Sequence, residues 1–177
     1  MNITTELLDP HNEALLKKLF SWETDPKIHP LITPVFKEED QGKVVSFEKF
    51  KARHLESGNY TSEIFVLFAD NIPVGNFSLM MDPGHLFLKE KGTAWLGLTI
   101  GESDYWGTGV AARAMEFFEK RALHHKAHRI ELGVFEFNPR AQKFYKKLGF
   151  VEIGRLEKFT WKDGQRFDDI RMEKRLN

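Results

Sequence analysis

The sequence predicts an α/β (α+β) chain built on one mixed, mostly antiparallel central sheet of about seven strands, flanked by helices. Three observations carry that expectation. Three apolar, strand-like runs follow one another between residues 64 and 100 with short connections, as an antiparallel meander does. An amphipathic helical stripe then separates Thr93–Ile100 from Arg129–Phe135, a strand–helix–strand unit whose right-handed crossover makes those two strands parallel. Two further strand runs, joined by a Lys162-Asp163-Gly164-Gln165 turn, close the chain as a hairpin.

Each element has a local reason. Residues 2–8 form a short strand, and Asp9-Pro10 supplies a helix cap followed by proline at the first helical position. Leu15, Leu16, Leu19 and Phe20 are the buried stripe of that helix. Residues 24–45 are irregular, because Pro26, Pro30 and Pro34 prevent a long helix. Ser46 to Leu55 reads as a short amphipathic helix ending near Ser57-Gly58. The pattern then changes to strand-like runs: Ile64–Ala69, a turn at Asp70-Asn71-Ile72-Pro73, Val74–Met81 and the apolar Thr93–Ile100. Ala111, Ala114, Met115, Phe118 and Ala122 recur at offsets 0, 3, 4, 7 and 11, one face of a helix. After strand Arg129–Phe135, Asn138-Pro139 opens another helix with Ala141, Phe144, Tyr145 and Leu148 on one face and Gly149 as its stop. Phe150–Trp161 and Phe167–Lys174 are the final strands. No repeat or linker divides the chain, so residues 1–177 are expected to form a single domain.

Composition removes several function classes. Lys plus Arg and Asp plus Glu are both 26, so there is no basic excess for many phosphate contacts, and a nucleic-acid partner is not expected. Cysteine is absent, which excludes a thiol nucleophile and a cysteine metal site. No apolar run approaches the length of a membrane span, and the start Met1-Asn-Ile-Thr-Thr lacks a basic-then-apolar leader. The expected setting is cytoplasmic, with no membrane partner. His124, His125 and His128 cluster near a helix end, but no carboxylate or cysteine with ligand spacing accompanies them, so no metal is expected.

The stretch richest in chemistry is Ile100 to Ala112, in which Gly107 and Gly109 lie between a buried strand and the first turn of a helix. Backbone N–H groups with no intrahelical acceptor point out of such a start, and the helix dipole favours negative charge there. Two glycines alone fit equally a strand-to-helix turn with no ligand. Gly107-Thr108-Gly109-Val110-Ala111-Ala112 also fits G-x-G-x-x-A, with Glu131 downstream as a dinucleotide fold would have it. Against that reading, three antiparallel strands precede the loop and few βα units follow it.

These residues resemble the GNAT superfamily of N-acetyltransferases, within it the Rim-type branch that includes ribosomal-protein N-terminal acetyltransferases. The superfamily motif [QR]-x-x-G-x-[GA] corresponds to Trp106-Gly107-Thr108-Gly109-Val110-Ala111, with Trp106 at the usual Gln/Arg position. The branch pattern I-G-x-x-x-Y-W-G-x-G is met by Ile100 through Gly109. A second motif, N-x-x-[AV]-x-x-x-Y-x-x-x-G-F, is met by Asn138, Ala141, Tyr145, Gly149 and Phe150. Gly154-Arg155-Leu156, Asp163-Gly164 and Asp168 are also typical of the branch, and the likeness covers roughly residues 60 to 177.

The resemblance implies a GNAT-like sheet splayed between its fourth and fifth strands, with acetyl-CoA as co-substrate. Its pyrophosphate would lie on Trp106, Gly107, Thr108, Gly109, Val110 and Ala111, its pantetheine arm along Leu98, Thr99 and Ile100, and Asn138 would touch that arm. Asn138 serves equally as a helix cap. Tyr145 occupies the family's position for the acid that protonates the departing thiolate; periodicity alone would make it a buried aromatic. The Rim-type base is often a Glu five residues before the Asn, where this chain has Gly133. Glu102, at the end of the preceding strand, is the candidate base, with Glu131 a more distant alternative. Asp168-Asp169 could bind a cationic substrate, though charges on a final strand ordinarily face water. The implied activity is direct acetyl transfer to a primary amine, a peptide N-terminus or a small amine or polyamine, in an enzyme that often pairs as a homodimer. The alternative is a noncatalytic acyl-CoA-binding regulatory module, which the missing carboxylate at Gly133 keeps open.

Overall fold

A computed structural model describes residues 1–56 and 62–176, so the expected helix end at Ser57-Gly58 lies outside the described residues. Seven strands form one sheet: β1 (Ile3–Leu7), β2 (Ser62–Ala69), β3 (Ile72–Met81), β4 (Thr93–Ile100), β5 (Arg129–Phe135), β6 (Val151–Lys162) and β7 (Gln165–Arg175). Their order across it is β1-β2-β3-β4-β5-β7-β6, and only β4 and β5 are parallel. The helices are α1 (Glu13–Thr24), α2 (His29–Ile32), α3 (Phe47–Glu56), α4 (Val110–His124) and α5 (Pro139–Lys147). The mixed, mostly antiparallel sheet expected from the sequence is the one observed.

Helices cover both faces, and strand alternation shows it residue by residue. On β2, Leu67 packs in the cluster with Ala114, Met115 and Phe118 of α4, whereas its neighbour Val66 packs with Leu16, Leu19 and Trp22 of α1 and Phe50 of α3. The first cluster also takes Ile130, Leu132 and Val134 from β5 and Ile170 and Met172 from β7. The intervening residues Arg129, Glu131 and Gly133 of β5 and Asp169, Arg171 and Glu173 of β7 therefore lie on the opposite face.

Three local expectations need correction. Helix α1 begins at Glu13 rather than at Pro10: the Asn12 side chain accepts from the Leu15 N–H at 3.2 Å. Asp9 instead accepts from the His11 N–H at 2.9 Å, making a turn ahead of the helix. The proline-rich segment contains a four-residue helix, α2, with Pro30 in its first turn, where a missing N–H costs nothing. The β2–β3 turn is only Asp70-Asn71, both at positive φ (48° and 68°), and Pro73 lies inside β3, opposite Phe68 where the register shifts.

The C-terminal end of α4 is tied to the sheet by Glu63 of β2. Its carboxylate accepts from Arg121 Nε at 2.7 Å and from a second Arg121 nitrogen, and meets His125 Nε2 at 2.9 Å. The Arg121 hydrogen bonds, outweighing partial burial and helped by His125, hold its carboxyl down at about 2. That stabilisation is present above the ordinary value of 4.5 and is lost as pH falls from there towards about 2. Glu63→Gln is expected to cost about 1 kcal/mol at neutral pH. Urea melts should show the difference from wild type narrowing across that acid window.

Candidate active site

Strands β4 and β5 pair over three residues only, Thr93↔Arg129, Ala94↔Ile130 and Trp95↔Glu131. Beyond Trp95 they part, β4 staying on β3 as far as Ile100 and β5 staying on β7 as far as Phe135. The β3–β4 ladder is brought into phase by Asp82 N–H to Thr93 O at 2.8 Å and Gly101 N–H to Val74 O at 2.9 Å. Antiparallel pairing alternates, so residues 93, 95, 97, 99 and 101 turn their backbone groups to β3. Leu98 and Ile100 turn theirs into the gap. The Ile100 carbonyl is taken there by Trp106 Nε1 at 2.8 Å, which leaves the Leu98 N–H and C=O and the Ile100 N–H on an inner strand edge.

A cleft opens along this gap in two connected parts. The part towards α4 and α5, about 420 Å³, is lined by Leu98, Thr99, Ile100, Trp106, Gly107, Ala111, Asn138 and Tyr145 among others. The part towards β6 and β7, about 910 Å³, shares Leu98, Thr99, Asn138, Ala141 and Tyr145 with it. The gap is thus a passage through the sheet, with Tyr145 and the β4 edge at its waist.

The glycine loop closes one end. Gly107 and Gly109 have φ of +77° and +97°, and a side chain on either would meet nothing within 4 Å. Glycine is therefore needed there for the backbone turn, and the space over the loop is open. Arg113 N–H to Gly109 O, at 3.0 Å, is the first bond of α4, so the N–H groups of Val110, Ala111 and Ala112 have no intrahelical acceptor. Thr108 is exposed and bonds its hydroxyl back to Tyr105 O at 2.7 Å. Across the loop, Arg140 stacks on the Trp106 ring at 3.6 Å, and Lys143 and Lys147 join it in lining the same mouth. This end is cationic and rich in N–H donors, suited to a polyphosphate.

Asn138 caps α5 by accepting from the Ala141 N–H at 3.2 Å while lining both parts of the cleft. Tyr145, 8% exposed, packs against Phe144 and Phe150. Among the described residues no group hydrogen-bonds its hydroxyl. Burial pushes the phenol well above its ordinary value, so it stays protonated at any working pH.

The two carboxylates weighed as bases are otherwise engaged. Glu102 accepts from Trp22 Nε1 at 2.8 Å and meets Lys18 Nζ at 2.6 Å, and it lines neither part of the cleft. Partial burial works to raise its pKa, but the Lys18 and Trp22 bonds outweigh it and hold the group below its ordinary range. Glu131 is fully buried and receives the Phe87 N–H at 2.6 Å, the Leu88 N–H at 3.3 Å, Arg129 at 2.5 Å and Arg171 at 3.5 Å. It clamps the β3–β4 connection over the sheet.

The residue that sequence reasoning weighed only as a cation contact on a solvated strand is Asp169. It is 4% exposed and lines the larger part of the cleft beside Gly133, Trp95, Phe135 and Phe159. Arg171 Nε donates to its Oδ2 at 2.7 Å. Burial raises its pKa above the ordinary 3.8, and Arg171 offsets only part of that. The signal lay in two alternations read together: Arg129, Glu131, Gly133 on β5 and Asp169, Arg171, Glu173 on β7 occupy one face, and the antiparallel register sets them side by side. Glu131→Gln is expected to destabilise the fold by about 3 to 5 kcal/mol, because it leaves buried guanidinium charge short of a partner. Chemical denaturation measures that loss.

Comparison with known proteins agrees with this geometry. Residues 16–150 match the acetyltransferase (GNAT) family. N-alpha-acetyltransferase 30 of Saccharomyces cerevisiae is 28% identical over 97 residues, 55% of this chain, and the chain spans about half (53%) of that relative's length. Among solved structures, the spermidine N-acetyltransferase of Vibrio cholerae in complex with CoA and spermine superposes with a TM-score of 0.79 at 21% identity, over 98% of this chain and 95% of that one. The ribosomal-protein-alanine N-acetyltransferase of Brucella melitensis gives 0.75 at 18% identity, over 98% and 99%.

Proposed function

The chain belongs to the acetyltransferase (GNAT) family, and from that premise we propose that it moves an acetyl group from acetyl-CoA directly to a primary amine within a ternary complex. The observation that carries the reading is the alignment of three features along one cleft: an inner β4 edge whose backbone groups turn into the gap, an open glycine loop at a helix start, and a Tyr145 hydroxyl with no hydrogen bond among the described residues.

The diphosphate of CoA rests on the main chain of Gly107 to Ala111 beneath the helix dipole, with Arg140, Lys143 and Lys147 facing its phosphates. The amide-bearing pantetheine arm pairs with the backbone of Leu98 and the Ile100 N–H as an added strand. Thr99 contributes its side chain, since its backbone belongs to β3. Trp106 serves by packing: its ring carries Arg140 and its N–H ties the loop to Ile100. A β4 N–H turned into the gap is placed to receive the oxyanion of the tetrahedral intermediate. Tyr145, neutral and directed into the cleft, gives a proton to the departing sulfur. We infer that Glu102 works as a structural link, fixing Trp22 of α1 to the start of the loop, where the Trp22 ring packs so closely on Gly101 that a Cβ there would lie 2.1 Å from it.

The acceptor enters from the β6–β7 side. Its walls are aromatic, with Phe36, Phe87, Trp95, Phe135 and Phe159, and its two carboxylates, Glu23 and Asp169, face two cations, Lys89 and Arg171. Glu23 is already paired with Arg53 at 2.7 Å. That balance suits a single amine on an apolar body, including a peptide N-terminus, better than a polycationic polyamine.

Calorimetry with CoA, followed by thiol release from acetyl-CoA over a panel of apolar monoamines, peptides and spermine, tests the reading. Binding of CoA and turnover with monoamines or peptides are expected; absence of CoA binding would contradict it. Tyr145→Phe should lower kcat by roughly 10²-fold and leave the Kd for acetyl-CoA within about twofold, whereas unchanged turnover would remove the acid from Tyr145.

A further inference from the structure

We propose that Asp169, whose carboxylate fills the space that Gly133 leaves on β5, is the general base that receives the acceptor amine; this rests on the transferase reading above. The two positions share one volume. A Cβ built on Gly133 would lie 2.7 Å from Asp169 Oδ2, 2.8 Å from Oδ1 and 3.1 Å from Cγ. No side chain at residue 133 can coexist with this carboxylate where it stands, so a glycine on β5 and an acid on β7 form a matched pair. The carboxylate thus lies over the β5 backbone at the wall of the acceptor cavity, where Gly133 itself is a lining residue.

Its surroundings suit a base that must take a proton and return it. Arg171 holds Oδ2 and orients the group, while Oδ1 has no hydrogen bond among the described residues. Arg171 is itself shared with Glu131 at 3.5 Å and with the His85 carbonyl at 3.0 Å, so its charge is divided. Two buried guanidiniums, Arg129 and Arg171, stand against the buried carboxylates Glu131 and Asp169 and the partly buried Glu173, which Arg175 also approaches at 3.9 Å. The other groups facing the cavity are Lys89 and the His85 ring, which packs on Trp95, from the β3–β4 connection, Glu23 from α1, and Tyr145 from α5. On β6 the register partner of Asp169 is the apolar Leu156, while Arg155 pairs with Glu152. Burial among these groups raises the Asp169 carboxyl, which brings a carboxylate closer to the amine it must deprotonate.

The acceptor ammonium gives one proton to Asp169 Oδ1, and the freed nitrogen pair forms the N–C bond to the thioester carbonyl carbon. The C–S bond breaks with its electron pair on sulfur, which takes the proton of the Tyr145 hydroxyl. A second nitrogen proton returns to the Tyr145 phenolate through water, one remains on the amide, and Asp169 releases its proton to solvent.

The test is the pH dependence of acetyl transfer by the intact chain, from acetyl-CoA to phenethylamine and to a tripeptide. A base whose pKa lies above 3.8 gives a rate that falls as pH drops towards that value. Asp169→Asn should lower kcat by roughly 10²-fold, abolish that acid limb, and leave the Kd for acetyl-CoA within about twofold. Because Asp169→Ala removes all three atoms that crowd residue 133, the double variant Gly133→Glu/Asp169→Ala returns a carboxylate to the same space from β5. It should recover at least about tenfold in kcat over Asp169→Asn. Turnover by Asp169→Asn within about threefold of wild type, with the acid limb kept, overturns the assignment. So does a loss of acetyl-CoA binding that parallels the loss of rate, or a folded double variant no faster than Asp169→Asn. A wild-type chain that binds CoA and turns over no amine sinks the transferase reading itself, and this assignment with it.

Discussion

An inner strand edge with nothing beside it is the constraint on which the rest of this structure depends. Backbone N–H and C=O groups inside a protein must find partners, and the strand pairing that meets this demand stops between β4 and β5 beyond Trp95. Leu98 and Ile100 are held there by the β3 ladder on their other side, so the edge cannot close on itself. Opening the sheet costs hydrogen bonds that a longer parallel pair would make. In the proposed reading, an extended, amide-bearing ligand entering the gap would complete the pairing and offset that cost.

The surrounding elements keep the gap open from both faces. Helix α4 starts at its mouth because Gly107 and Gly109 allow a left-handed turn that delivers the chain straight into the first helical bond. Helix α5 lays Asn138 and Tyr145 across the waist, fixed by the Asn138 cap and the Gly149 stop. On the far side, the β3–β4 connection is held down by Glu131, and Phe87 fits against Gly154, where a Cβ would lie 2.2 Å from its ring. The buried Arg129–Glu131–Arg171–Asp169 chain is costly to desolvate and is weak evidence for stability. What it supplies is position: it holds the β3–β4 connection against the larger part of the cleft and orients the Asp169 carboxylate.

Much of this was legible in the residues. Largely continuous apolar runs marked β2, β3 and β4, because helices bury both faces of the sheet, and the stripe from Ala111 to Ala122 marked α4, which turns one face to the core. The helix cap was misplaced because Asp9-Pro10 and Asn12 are both good cap signals, and Asp9 spends its side chain on a tighter turn. Helix α2 left no periodic trace in four residues. Asp169 was hidden for a different reason. A charged residue on a terminal strand is ordinarily solvated, and its burial depends on β7 inserting between β5 and β6, a placement that follows from topology and not from local pattern. Once that order is known, Gly133 stops reading as a missing acid and becomes the space that admits one.

Residue-resolved amide hydrogen exchange, with and without CoA, tests the central claim most directly. CoA is expected to slow exchange at Leu98, Ile100, Val110, Ala111 and Ala112, while Thr99, already bonded within the β3 ladder, stays unchanged. Protection spread evenly over residues 98 to 100, or none at the β4 edge despite bound CoA, would contradict it.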